Sequence, residues 1–232
     1  MAYNNILAID TALGACGVAV VCGSEAFDEQ EVMNRGYADA LLPMVERVLA
    51  QAALDYKDLD AIAVTLGPGA FTGIRVGISA AKALGVALDI PVYGLTSFDA
   101  MRLSVPEGQR TLCVLESKRE AFFVQSFGDD VGFTQPAMVC SHDIKNIASG
   151  SDGSVTVVGD GGLRLRGEVE GKDLDHFIFS NQSYSSTKDI AFALQNDPLK
   201  PYFTSDISAF YMRDADVSTS KRLQRKLASS VR

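Results

Sequence analysis

Residues 61–95 read AIAVTLGPGAFTGIRVGISAAKALGVALDIPVYGL. Ala61–Leu66 is a short apolar run that ends at Gly67-Pro68-Gly69, the pattern of a buried strand entering a tight turn. Thr72–Leu88 follows with helical length and is apolar nearly all round, carrying charge only at Arg75 and Lys82. Pro91–Leu95 is again a short strand. Strand, turn, helix and strand in this order form a parallel crossover unit and place the chain in the α/β class.

Working outward from that unit, Asn5–Thr11 and Cys16–Cys22 are β-rich runs separated by Ala12-Leu13-Gly14-Ala15, which predicts a hairpin. Ala26–Val32 is a third run. Tyr37–Ala53 repeats Leu41, Val45, Val48 and Ala52 at helical spacing, with Pro43 predicting a bend or a delayed start. An antiparallel meander followed by α-β-α-β is one lobe with a mixed sheet, assigned to residues 1–104. Ser104–Arg110 (SVPEGQR) is the boundary. A smaller second lobe, 105–217, holds strands at Thr111–Glu116, Ala121–Phe127 and Val155–Val158 and helices at Ser141–Ala148 and Thr187–Leu194. A reduced repeat of the first lobe's topology is one reading of it. Residues 218–232 form a basic tail with Lys221, Arg222, Arg225, Lys226 and Arg232, read as a frayed end or as a contact to RNA or an acidic partner.

The chain has 232 residues, 47% of them apolar, which suffices for a substantial core. Its 29 acids against 21 bases give a net charge of −8, which argues against a broad nucleic-acid surface. Cys16, Cys22, Cys113 and Cys140 make no CxxC pair, and the chain starts with no leader-like segment, so a reduced, cytoplasmic setting is expected. No run approaches the ~18–20 apolar residues that span a bilayer, so no membrane partner is expected.

Chemistry-bearing motifs are sparse. His142 and His176 fall in no metal-ligand spacing, and no GxSxG nucleophile elbow occurs, so neither a metal site nor a catalytic residue is assigned. Gly67–Gly73 lies where backbone N–H groups and a helix dipole can hold an anion. It lacks the lysine of a phosphate-binding loop and misses the dinucleotide glycine spacing by one residue. The other reading is a tight turn in which Thr72 caps the helix. Behind it, Gly73, Gly77, Ala81 and Gly85 recur every fourth residue, flanked by Ile74 and Ile78. Interior glycines cost about 1 kcal/mol each relative to alanine, so a closely packed backbone is expected on this stripe. Either the helix at 37–53 or a second protein would supply the remaining cover.

ILAIDTALGACGVAVV (6–21), LLPMVERVL (41–49) and TLGPGAFTGIRVGISAAKALGVALDIPVYGLTSFDA (65–100) closely resemble the TsaB (YeaZ-type) family, paralogues of the transferase TsaD. Tyr211–Asp216 resembles the family's YLRxPDA close, with Ala215 and Val217 departing from it, and Tyr37 stands where a histidine is common. The resemblance implies the actin-like, sugar-kinase and Hsp70 (ASKHA) fold in two lobes. It also implies a non-catalytic subunit that supports TsaD, with the ATPase TsaE, in N6-threonylcarbamoylation of adenosine 37 of tRNAs reading ANN codons.

No cofactor is then expected on this chain, ATP and a metal ion belonging to the partner subunits. In that fold Asp10, at the end of the first strand, would face a nucleotide's metal, so Asp10, Gly67, Gly69 and Thr72 form a candidate vestigial nucleotide site. The TsaD contact would lie on the two helices, through Leu41, Leu42, Val45, Gly73, Ile74, Gly77, Ile78, Ala81 and Gly85. The same face would serve a homodimer when the chain is alone. The alternatives are a stand-alone enzyme, ATP-binding or metallopeptidase-like, which tight ATP binding or chelator-sensitive proteolysis would reveal, and a homodimeric scaffold, which light scattering would reveal.

Overall fold

The computed structural model describes residues 3–128, 132–148, 154–169, 175–197 and 199–212. The basic tail at 218–232 and residues 213–217 of the second lobe lie outside the described residues. β1 (Asn5–Asp10), β2 (Ala15–Cys22) and β3 (Glu25–Val32) form the meander, with Ile9 opposite Val18. β4 (Ala61–Thr65) and β5 (Val92–Leu95) add in parallel, giving the sheet order β3-β2-β1-β4-β5.

Side chains alternate across a strand, so β1 sends Leu7 and Ile9 to one core and Ile6 and Ala8 to another. Both faces are covered, which is why the strand reads as an unbroken apolar run. β3 is the edge strand, and Glu25, Asp28, Glu29 and Glu31 guard it against further pairing.

α1 (Tyr37–Gln51) runs unbroken through Pro43 and starts at Tyr37, so the proline does not delay its start. α2 (Phe71–Leu88) has Ala70 at its N-cap with no side-chain bond. Thr72 therefore does not cap the helix. It lies exposed inside the first turn, while the N–H of the N-cap residue Ala70 donates to the Ala12 carbonyl of the β1–β2 hairpin. By length and mean hydropathy (1.3) α2 is a helix that could cross a membrane, yet its small-residue face is sealed against this chain's own sheet. α3 (Ser97–Leu103) begins where the Thr96 hydroxyl accepts the Asp99 N–H.

The second lobe repeats the first. β6 (Thr111–Glu116), β7 (Phe122–Phe127) and β8 (Ala137–Val139) form a meander. Then α4 (Ser141–Ala148), β9 (Val155–Val158), α5 (Gly162–Glu168) and β10 (Phe177–Phe179) follow, with β9 and β10 parallel to β6. The order β10-β9-β6-β7-β8 is that of the first sheet with shorter elements. This is the doubled α/β lobe of the actin-like, sugar-kinase and Hsp70 fold, the second copy reduced.

One assignment changes. α6 (Thr187–Asn196) follows the second lobe in sequence but packs on the first sheet, with Ile190, Ala191 and Leu194 in one core with Ile6, Ala8, Val21 and Ala63. The chain then stays with that lobe: Thr204 bridges Gly94, and the Phe210 N–H donates to the Leu66 carbonyl at 2.7 Å. Residues 105–217 are thus a second lobe in sequence, while in space only β6 to β10 and their helices build it. A contiguous core joins the two, with Cys113, Leu115, Phe123 and Val158 in the same cluster as Ala12 and Leu13.

Candidate functional site

β1 and β4 end side by side, which brings Asp10, the hairpin tip and the glycine loop together. The Asp10 carboxylate is buried and accepts the Ala12 N–H at 2.9 Å and the Thr65 hydroxyl at 2.7 Å. The Ser185 hydroxyl donates to its second oxygen. Neutral donors thus occupy both oxygens. Ser185 had no signal in the sequence: it lies 175 positions from Asp10 in a serine-rich stretch.

The candidate anion cradle is likewise filled from within. The Ala12 carbonyl accepts the Ala70 N–H at 2.7 Å, placing an acceptor where an anion would sit at the start of α2. A Cβ at Gly69 would overlap that carbonyl, so glycine is there for close approach of the hairpin. Gly67, at φ 101°, precedes a cis bond to Pro68, and its carbonyl accepts the Ser97 N–H at 2.7 Å. The structure thus gathers Asp10, Gly67 and Gly69 at one junction and leaves Thr72 outside it.

Reactive groups nearby are quenched. Burial, and then the Asp10 carboxylate, push the Cys16 thiol up to about 11, and burial pushes Cys113 well above its ordinary value. Tyr37 is buried, and its hydroxyl donates to the Met33 carbonyl at 2.7 Å. Among the described residues, no three His, Cys, Asp or Glu side chains cluster as a metal site.

The glycine stripe of α2 faces inward. A Cβ at Gly73 would overlap the Thr11 carbonyl, one at Gly77 the Thr11 hydroxyl, and one at Gly85 the Val92 side chain. That hydroxyl donates to the Gly73 carbonyl at 2.7 Å, stitching hairpin to helix. Gly73, Gly77, Ala81 and Gly85 are therefore corrected from interface to interior. Ile74, Ile78, Leu41 and Val45 are also buried, and of the nine expected contact residues Leu42 alone is exposed.

What α1 and α2 present outward is a groove of about 480 Å³ lined by Leu41, Leu42, Phe71, Arg75, Val76 and Ser79, among others. Arg75 lies 3.7 Å over the Phe71 ring, and its Nε donates to the Tyr211 hydroxyl at 3.0 Å. Farther along α2, Val86 is 84% exposed. Phe71 and Val76 were missed as site residues. The available signal was an apolar helix with no polar face, whose glycines already account for the buried side.

The family model described as TsaD: tRNA N6-adenosine threonylcarbamoyltransferase matches residues 26–131. An uncharacterized protein of Mycobacterium tuberculosis is 37% identical over 147 residues, 61% of this chain and 67% of its own length. The tRNA threonylcarbamoyladenosine biosynthesis protein TsaB of Haemophilus influenzae is 32% identical over 124 residues, so the match spans 52% of each chain. The structure of YeaZ from Pseudomonas aeruginosa superposes with a TM-score of 0.74 at 21% identity, covering 90% of this chain and all of that one.

Proposed function

We propose, from the premise that this chain belongs to the TsaB/YeaZ-type family, that it acts in tRNA threonylcarbamoyladenosine biosynthesis as a non-catalytic partner subunit. It binds and supports a TsaD-type paralogue, together with a TsaE-type ATPase, while tRNA is the substrate of the assembly. ATP and the metal ion belong to the partner subunits, and the work is done in the cytoplasm.

The observation that carries the reading is the outward groove between α1 and α2. With the glycine face already packed on Thr11 and Val92, the apolar lining on the other side is left open by the described residues. The non-catalytic reading is supported by the Ala12 carbonyl in the anion cradle and the neutral donors on Asp10. A homodimer through the same groove is the expected state when the paralogue is absent.

Light scattering after size exclusion, on the chain alone and mixed with TsaD from the same organism, tests the reading. A 1:1 complex is expected. Leu42→Glu with Ser79→Glu, both at exposed positions, should weaken it by ~tenfold or more, equivalent to ~1.4 kcal/mol, while the melting temperature holds. No complex between two folded chains would overturn the proposal.

A further inference from the structure

Where the first lobe hands over to the second, a cavity of about 470 Å³ is lined by residues of three separate segments. Arg102 comes from the last turn of α3, Gln109 from the connection into β6, Thr111 from the start of β6, Phe127 from the end of β7, and Lys200 and Tyr202 from the chain returning after α6. A volume of this size suits a small organic ligand. None of these residues lines the α1/α2 groove, so a ligand held in this cavity is independent of the partner reading.

The walls carry two kinds of chemistry. Arg102 and Lys200 are exposed cations that form no ion pair among the described residues. Glu107 is the single carboxylate among the lining residues, against two cations, in a chain of net charge −8. The Arg102 guanidinium lies 5.4 Å from the centroid of the Phe127 ring. Burial raises the Tyr202 phenol, and the Arg102 charge pulls it back while Asp197, Asp99 and Glu107 push it up, which places guanidinium and phenol within one another's field. The Gln109 amide is fixed by donating to the Thr156 hydroxyl at 2.7 Å.

A bare anion would use the cations and leave the aromatic walls idle; an apolar molecule would leave two charges facing it. A ligand that satisfies both has a planar ring and a negative group. We infer that this cavity binds a small planar anion of the nucleoside monophosphate class, its ring against Phe127 and Tyr202 and its phosphate at Arg102 and Lys200. Because the walls come from both lobes, the bound ligand ties them together and raises thermal stability.

Calorimetric titration of the full chain with AMP, adenosine and inorganic phosphate tests this. AMP should bind with a Kd below about 1 mM, adenosine and phosphate ~tenfold or more weakly, and AMP should raise the melting temperature. Arg102→Ala with Lys200→Ala, both at exposed positions, should weaken AMP by ~tenfold or more, whereas Leu42→Glu should leave it unchanged. No AMP binding, AMP binding that survives the double variant in a chain with an unchanged melting temperature, phosphate binding as tightly as AMP, or tRNA rather than AMP depending on these two residues would each overturn it.

Discussion

Asp160 shows what a single carboxylate does in a tight loop. It follows β9 at the position in the second lobe that the glycine loop holds in the first. Burial raises its carboxyl to about 6; the Glu116 carboxylate adds to the rise, and the Glu116 N–H at 2.9 Å and Lys118 oppose it. Glu116 cannot swing away, because Arg164 holds both its oxygens at 2.8 and 3.1 Å while lying 3.6 Å over the Phe122 ring. The folded chain thus keeps the Asp160 proton more tightly than the unfolded chain does. Stability is full below the unfolded value of 3.8, falls as pH rises toward about 6, and is level above that. Asp160→Asn keeps an oxygen for the Glu116 N–H and removes the charge, so at pH 7 it should stabilise the protein by at most about 3 kcal/mol, and at pH 4 by much less. Urea midpoints of both proteins at the two pH values read this directly, and an equal difference at both would rule it out. Asp10, also beside a glycine loop, was legible as a strand-end acid. Its donors from Thr65 and Ser185 were not, because hydroxyls distant in sequence leave no pattern.

At the scale of the element, α2 joins two environments on one cylinder. Its period and its bounds were legible to within a residue, and so was the need for a backbone close to Gly77. Whose backbone could not be read, since bare glycines announce an approach without naming the partner; Thr11, which fills the space, is 62 positions from Gly73. The direction of the stripe makes its substitution a folding experiment. Gly77→Ala should destabilise by about 1–3 kcal/mol through overlap with the Thr11 hydroxyl, and Gly77→Leu should abolish folding. Measured by urea denaturation followed by circular dichroism, Gly77→Ala should lose stability yet, where folded, bind the partner as the parent chain does. A Gly77→Ala protein of full stability and reduced partner affinity would return the stripe to the interface.

For the whole molecule, the repeat of one lobe by the other is a repeat of connectivity that no residue pattern announces. Meander, helix, strand, helix, strand closes in the same order twice because crossovers share a hand and sequential strands pair as neighbours. The residues need match only in apolar alternation, so Val155–Val158 can stand where Ala61–Thr65 stands without likeness. Eight of the ten described strands were therefore readable one by one, while the three-residue β8 and β10 were too short to show a pattern. The assignment of α6 was not readable either, since chain order put it with the second lobe, and apolar demand on the first sheet overrode that order. β1 carries Ile6 and Ala8 on the side that α6 covers, with Val21, Ala61 and Ala63 beside them. A fragment of residues 1–110 keeps the first sheet, α1, α2 and α3 but leaves the α6 side of that sheet open to water. Such a fragment should stay unfolded or aggregate, by circular dichroism and light scattering, and a synthetic peptide of residues 183–212 added in trans should restore native-like helicity in proportion to its concentration. If the fragment folds alone with a cooperative transition, the first lobe's core does not depend on the returning chain, and the boundary near residue 104 is a boundary in space as well as in sequence.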